Sequence, residues 1–284
     1  MPRSTKIAIV GAGSFATSLA LALREAGYKI TEIVSKDSPG SRRRAHTLAA
    51  KVGARGVTTR GAVLDATLLW FCVPDREIRA AAKSLSACAR GRIRFAFHSS
   101  GALLSGELEP LRKGGAAIAS VHPLMTFVPG VRPSLAGVPF ALEGEAAATR
   151  VARRIVHDLG GESFVLPGPR KAAYHAWAMF TSPLLLAFLV TLEEAAQAAG
   201  LTRQAARRKS LPIIRQTLEN YAHLGPEHSF SGPIIRGDAE TVAKHLAVLK
   251  KVPGARAVYI ALARSALRRL PAGNRNELRR LLQD

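Results

Sequence analysis

Acidic residues are scarce in this 284-residue chain: 20 Asp and Glu stand against 41 Lys and Arg, a formal net charge of +21. Such an excess asks for an anionic partner, and nucleic acid is the first to weigh. The features that would carry nucleic-acid binding are missing. The basic residues are scattered among Ala and Leu, as in Arg42-Arg43-Arg44, Arg153-Arg154, Arg207-Arg208-Lys209 and Arg268-Arg269, with no basic tail, no aromatic interleaving and no nucleic-acid motif. The charge therefore reads as mostly solvated, with a local bias toward anionic ligands. No nucleic-acid partner is expected.

Cysteine is almost absent too. Cys72 and Cys88 make neither a metal-ligand spacing nor a disulfide framework, so no metal is expected and a reducing cytoplasm fits. Met1 to Thr5, ahead of the first strand, is too short and too polar for a secretory leader. Long apolar runs are missing with one exception, Ala176 to Leu192. It is interrupted by Thr181, Ser182 and Pro183, flanked by His175 and Glu193-Glu194, and at the lower limit for a membrane span. The expectation is a buried helix and no membrane contact.

The chain opens with a β-branched run, Lys6 to Val10, which feeds Gly11-Ala12-Gly13-Ser14-Phe15-Ala16 and then an amphipathic helix stopped at Gly27. That strand, turn and helix are the context in which G-x-G-x-x-A means a dinucleotide-binding turn. Gly11 allows the tight turn, Gly13 lets backbone amides approach a pyrophosphate, and Ala16 lets the helix close on the sheet. Unpaired N–H groups at the helix start then face the phosphates. After the next strand, Lys29 to Val34, comes the position that reads the adenosine ribose, where NAD-binding chains place an acidic residue. Here Ser35 and Lys36 occupy it, with Arg42 to Arg44 close by, which favours NADP; Asp37 keeps NAD open.

Further on, the periodicity predicts a helix His46 to Val52, a short strand near Val57, a helix around Ala62 to Ala66 and a strand Thr67 to Val73. Asp75 is placed to cap a helix Arg76 to Ala89. Strands Arg92 to Phe97 and Ala116 to Val121 each release a histidine, His98 and His122, at the carboxyl edge where ligands bind such sheets. His122 is a candidate for direct acid–base chemistry, with a hydrogen-bonded spacer as the alternative. Strand Val138 to Leu142, helix Glu145 to Leu159 and strand Glu162 to Leu166 complete an α/β unit. From Arg170 onward only helical periodicity remains: a long helix Arg170 to Ala199, one from Thr202 to Leu224 with Pro212 as a potential kink, and a loop Gly225 to Asp238. Helices Ala239 to Val252, Ala255 to Leu270 and Asn274 to Gln283 follow, the last with an Asn274/Glu277 capping box. The fold class is α/β, a Rossmann-type mostly parallel sheet (residues 1–166) followed by an all-α C-terminal domain (residues 167–284).

Several motifs together resemble a bacterial family that pairs a Rossmann-like NADP-oxidoreductase domain with a helical C-terminal domain of unknown function. They are the glycine turn, Val73-Pro74-Asp75, His98-Ser99-Ser100-Gly101, His122-Pro123, Lys171-x-x-Tyr174-His175-Ala176, and Ser231-Gly-Pro-x-x-Arg236-Gly-Asp238 with Thr241 and His245. The family is distantly similar to ketopantoate reductase, pyrroline-5-carboxylate reductase and the β-hydroxyacid dehydrogenases. In the first and last of these, the helix after the Rossmann domain carries a catalytic Lys followed four residues later by Asn. Lys171 matches, but position 175 is His, which leaves the proton donor open between the two. Ser182-Pro183 stands where Ser-Asn is usual.

The resemblance implies an NADP-dependent reductase or dehydrogenase acting on the C=O or C=N carbon of a small anionic substrate. Its catalytic set is Lys171, His175 and His122. The cofactor contacts are Gly11, Gly13, Ser14, Phe15, Ala16, Ser35, Lys36, Val73, Pro74, Ser99 and Ser100, and the substrate contacts are Arg236, Ser231 and Tyr174. A homodimer through the helical domain is expected, since apolar surface must be buried somewhere. The rival reading is a non-catalytic NADPH sensor or regulatory protein.

Overall fold

The computed structural model describes residues 5–89 and 91–283, so Met1 to Ser4 of the opening segment lie outside the described residues. Eight strands form one sheet: β1 (Lys6–Val10), β2 (Lys29–Ser35), β3 (Arg55–Thr58), β4 (Leu68–Phe71), β5 (Phe95–His98), β6 (Ala117–Pro123), β7 (Pro139–Gly144) and β8 (Glu162–Val165). Their order is β3-β2-β1-β4-β5-β6-β7-β8. The first six are parallel, and β7 runs antiparallel to β6 with β8 parallel to β7. The chain steps outward from β1 to β3 and returns to β4 beside β1. The carboxyl ends of β1 and β4 therefore flank the switch point where such sheets open a ligand crevice.

Strand alternation sorts the core into two layers. Ile7 and Ile9 of β1 and Trp70 of β4 pack with helices α1 (Ser14–Glu25), α2 (Pro39–Val52) and, farther along, α5 (Ala146–Asp158). Ala8, Val10, Leu69 and Phe71 point the other way, onto α3 (Asp75–Ala89) and the short α4 (Glu109–Arg112). On β6 the same rule puts Ser120 and His122 on the α3 side with Ile118, while Ala119 and Val121 join the opposite layer.

After β8 come α6 (Lys171–Thr181), α7 (Pro183–Gln197), α8 (Arg203–Ser229), α9 (Pro233–Arg236), α10 (Ala239–Leu249), α11 (Pro253–Arg269) and α12 (Arg275–Leu281). Two compact units result. The first ends at Met179 and includes most of α6; the second begins at Phe180. The core of the second unit is Val242 and Leu246 of α10, Ile260, Ala263 and Leu267 of α11, and Leu278 of α12.

Several local expectations are corrected. The helix before β3 starts at Pro39, seven residues earlier than its apolar pattern, because proline at the first position is already preset for helix and Ser38 precedes it in extended form. Residues 62–66 are not helical; a 3-10 turn, Thr59–Gly61, precedes them and Leu64 adopts φ 55°. Asp75 lies inside α3 and its carboxylate accepts from Ser100 Oγ at 2.7 Å. The long helix after Arg170 breaks at Ser182 (φ −139°, ψ −68°), where Pro183 begins α7 without an N–H to give. In α8 the break falls at Gly225 (φ 76°, ψ 174°) rather than at Pro212, since only glycine enters that region without strain. Part of the expected loop after Gly225 is therefore helical. Asp238 does cap α10, accepting from Thr241 N at 3.0 Å. Asn274, by contrast, donates to the Glu277 side chain, with no capping bond to the backbone.

The apolar run Ala176 to Leu192 is not buried as a whole. Trp177, Phe180, Leu184, Leu185, Leu186, Phe188 and Val190 are exposed, and by length and composition the stretch Gly168–Gln197 is apolar enough to cross a membrane.

Candidate functional site

The β1–α1 turn opens the site. Gly11 has φ 107°, and a Cβ there would lie 2.4 Å from the Cys72 carbonyl oxygen, so the junction of β1 and β4 tolerates no side chain. Gly13 is different. Its φ of −83° suits any residue and a Cβ would meet nothing within 4 Å. The protein itself does not require glycine at that point; a ligand pressed against the backbone would. Gly13 is also the N-cap of α1, with no side-chain cap and no acidic residue in the first turn, so its amides are left to an anion.

A cleft of about 560 Å³ extends from this turn, lined by Gly11, Gly13, Ser35, Lys36, Val73 and Pro74 among the expected contacts. Sequence reasoning missed Ser41, Thr59 and Arg76, which also line it, and named Arg44 only as a neighbour. Ser41 and Arg44 come from the first turns of α2, which the apolar periodicity could not reveal because that end of the helix is polar. Lys36 is paired: its Nζ lies 2.5 Å from Glu77 Oε1. Arg44 donates to Ser41 Oγ at 3.3 Å. Of the other expected contacts, Ser14 opens α1 beside Gly13 and the rest are engaged elsewhere. Phe15 packs on Phe127 with ring centroids 4.9 Å apart, Ala16 is core, Ser99 Oγ accepts from Trp70 Nε1 at 2.9 Å, and Ser100 is buried.

Beyond the cleft, at the ends of β5 and β6, a second cluster forms in the same unit. Lys171, Tyr174 and His175 share one face of α6, as their i, i+3, i+4 spacing requires. Lys171 is 1% exposed, and its ammonium donates to Ser120 Oγ. Ser120 donates in turn to the Ser100 carbonyl at 3.0 Å. Burial pushes the Lys171 ammonium down to about 8, against the opposing pull of Glu143 and Asp75. Both carboxylates have other bonds, Glu143 to Ser105 and Asp75 to Ser100.

His98 and His122 differ in their partners. His98 donates through Nε2 to the Leu104 carbonyl at 3.0 Å and accepts the Ser100 N–H at Nδ1, so both ring nitrogens serve the loop. Burial first, with the nearby Lys171 charge, holds it neutral, down to about 4. His122 bonds Tyr174 Oη through Nδ1 at 2.7 Å and lies 6.1 Å from the His175 ring. It too is pushed down to about 4, by burial and then by Lys171, His175 and His98. Burial raises the Tyr174 phenol to about 12.

Gly101 makes this convergence possible. A Cβ there would stand 2.5 Å from His175 Cδ2 and 2.8 Å from His122 Nε2. Sequence reasoning missed Gly101 and Ser120 as site residues, although alternation along β6 already puts Ser120 on the face of His122. The cluster thus brings Lys171, His175, His122 and Tyr174 together. Ser231 and Arg236 belong to the second unit, where both are exposed; Arg236 ends α9, and the Asp238 carboxyl is held below its usual range by its bonds from Thr241 and, to a lesser extent, by the Arg236 charge. Among the described residues no group of His, Cys, Asp and Glu is arranged to hold a metal.

Residues 1–123 match the model of a Rossmann-like domain, and residues 138–266 match that of a domain of unknown function, DUF2520. A search of curated proteins returns no match. Among solved structures, a candidate NADP oxidoreductase from Bacteroides fragilis is 23% identical, with TM-score 0.75 over 92% of this chain and 97% of its own. An imine reductase from Myxococcus stipitatus in complex with NADP+ is 16% identical, with TM-score 0.63 over 93% and 94% of the two chains. A pyrroline-5-carboxylate reductase from Coxiella burnetii is 14% identical, with TM-score 0.60 over 92% and 98%. At these identities the likeness is one of fold. The chain joins a Rossmann-like domain to a C-terminal domain of the DUF2520 family.

Proposed function

We propose that the protein is an NADP-dependent oxidoreductase moving a hydride between the nicotinamide and a C=O or C=N carbon of a small, carboxylated substrate. The observation that carries this reading is the cleft at the switch point, where a sterically unneeded Gly13 and an uncapped helix start meet Arg44 and Arg76. The α1 amides beside Gly13 would hold the pyrophosphate. Arg44, Arg76 and Ser41 would hold the 2′-phosphate, with Lys36 contributing less because Glu77 offsets its charge. The structural neighbours named for NADP support the same choice.

When bound, the nicotinamide supplies the hydride. The proton falls to this chain. Lys171, mostly charged at pH 7 and releasing near pH 8, holds a transferable proton at Nζ and a positive charge for a developing oxyanion. Ser120 fixes the ammonium; on the second unit, exposed Arg236 has the fork that would bind a carboxylate. The two thiols, unpaired by any disulfide, suit action in the cytoplasm. The exposed apolar residues of α7 suit a homodimer through the helical region rather than a membrane, since the break at Ser182 divides the apolar stretch.

Titration with both dinucleotides tests the reading. NADPH is expected to bind more tightly than NADH. Arg44→Ala should remove a charge-assisted contact worth about 1.5–3 kcal/mol and narrow the preference at least severalfold. Equal affinities in the native protein would refute NADP specificity. Turnover is then followed by NADPH absorbance with 2-oxo acids, semialdehydes and cyclic imines. NADPH binding without oxidation by any of them favours the sensor reading.

A further inference from the structure

We propose that Tyr174 is a positioning residue that fixes His122 as its neutral Nε2–H tautomer, so that His122 acts as a standing hydrogen-bond donor while Lys171 carries the transferable proton. The 2.7 Å contact between Tyr174 Oη and His122 Nδ1 can run in two senses. In one the phenol donates to a bare Nδ1 and both groups are satisfied. In the other Nδ1–H donates, and the O–H of a phenol only 6% exposed must find another acceptor; the hydrogen bonds of the described residues give it none. A stranded buried donor is the costlier arrangement. The first sense therefore holds, and the ring proton sits on Nε2.

The surroundings keep that proton count constant. Facing His122 are His98 from β5 and Lys171, Tyr174 and His175 from α6, while the carboxylates Asp75 of α3 and Glu143 of β7 act on Lys171. A second proton on His122 would sit among cations and neutral rings. The imidazole is thus pushed down to about 4 and the phenol up to about 12, so neither changes state around neutral pH. Gly101 determines where the Nε2–H edge lies: Nε2 comes to 2.8 Å from the place a Cβ would take, beside Cδ2 of His175. A neutral imidazole held this way polarises a carbonyl or imine without giving up its proton. That use rests on the oxidoreductase reading; the tautomer does not.

The test is nitrogen NMR on the full chain with 15N-labelled histidine and no cofactor, the His122 signals being assigned by their loss in His122→Asn. In the native protein Nε2 is expected to show the protonated-type shift and Nδ1 the bare-type shift, unchanged between pH 5 and 8. A proton on Nδ1, or an imidazolium pattern at pH 7, overturns the proposal. In Tyr174→Phe the separation between the two shifts is expected to shrink as the second tautomer becomes populated, with NADPH affinity unchanged within about twofold. Identical shifts in the variant overturn the role of Tyr174. Should the variant not fold, an exchange-protected phenol proton on native Tyr174, hydrogen-bonded to Nδ1, decides the same point by its presence or absence. Failure of NADPH to bind would instead sink the oxidoreductase reading and leave the tautomer standing.

Discussion

A lysine buried to 1% exposure is a stability burden for as long as it stays charged. The Lys171 ammonium titrates near 8 in the folded chain against 10.5 as the ordinary value, so between those limits the unfolded chain binds more protons than the folded one. Stability therefore rises as pH climbs through that window and is lowest below pH 8, where both states hold the proton. By this linkage the native protein gains roughly 2 kcal/mol from Lys171 between pH 7 and pH 10. Lys171→Met removes the titration while keeping the volume. Its urea midpoint is expected to exceed that of the native protein at pH 7, and the difference should shrink by pH 10. Parallel pH profiles of the two midpoints would mean that Lys171 is solvated and normal. The variant should also turn over poorly while binding NADPH, because the residues proposed to hold the phosphates are others. The cost of burying Lys171 falls at the position where the proposed reaction needs a proton, as is common at functional sites.

At the scale of the elements, the two glycines of the β1–α1 turn separate fold from function. Gly11→Ala places a methyl group 2.4 Å from the Cys72 carbonyl at φ 107°, so a lowered melting temperature and loss of NADPH binding are expected together. Gly13→Ala meets nothing, so its melting temperature should match the native one while NADPH affinity falls. Equal losses of stability in both variants would contradict the assignment of Gly13 to a ligand. The turn, its strand and its helix were legible because periodicity, glycine spacing and small-residue packing all point the same way there. Likewise, the i, i+4 spacing of Lys171 and His175 was enough to give them a common helix face. What was not legible depends on contacts distant in sequence. The His122–Tyr174 bond joins β6 to α6, and the importance of Gly101 is visible only once two rings have arrived above it. Asp75 read as a cap because its position at a helix start outweighed a partner 25 residues away. The helix expected at residues 62–66 failed for the opposite reason: the segment's backbone N–H groups at Val63 and Leu64 go to the buried Glu32 carboxylate, a tertiary partner that replaces helical bonding.

Across the whole molecule, the apolar surface of the second unit stands out more than the charge. Phe180 is 70% exposed, Leu186 62%, Ile213 68% and Tyr221 61%, on α6, α7 and α8. So many large apolar side chains left in solvent are uncommon on a monomer and are what a contact surface would present. A second copy of the chain is the partner this favours, since helices that present Leu and Phe to one another bury area at about 25 cal/mol per Å² without needing complementary charge, which is scarce in a chain of net charge +21. The expected result is a dimer in light scattering coupled to size exclusion at physiological salt. Leu186→Glu with Ile213→Glu should give a monomer by putting unpaired carboxylates into the contact. Because neither residue belongs to the nucleotide cleft, the variant should still bind NADPH. Raising the salt should strengthen a native dimer held by apolar contact, by screening the repulsion between two strongly basic copies. A native protein that is monomeric at every salt concentration would refute the dimer, and a dimer that survives the double substitution would place its contact elsewhere.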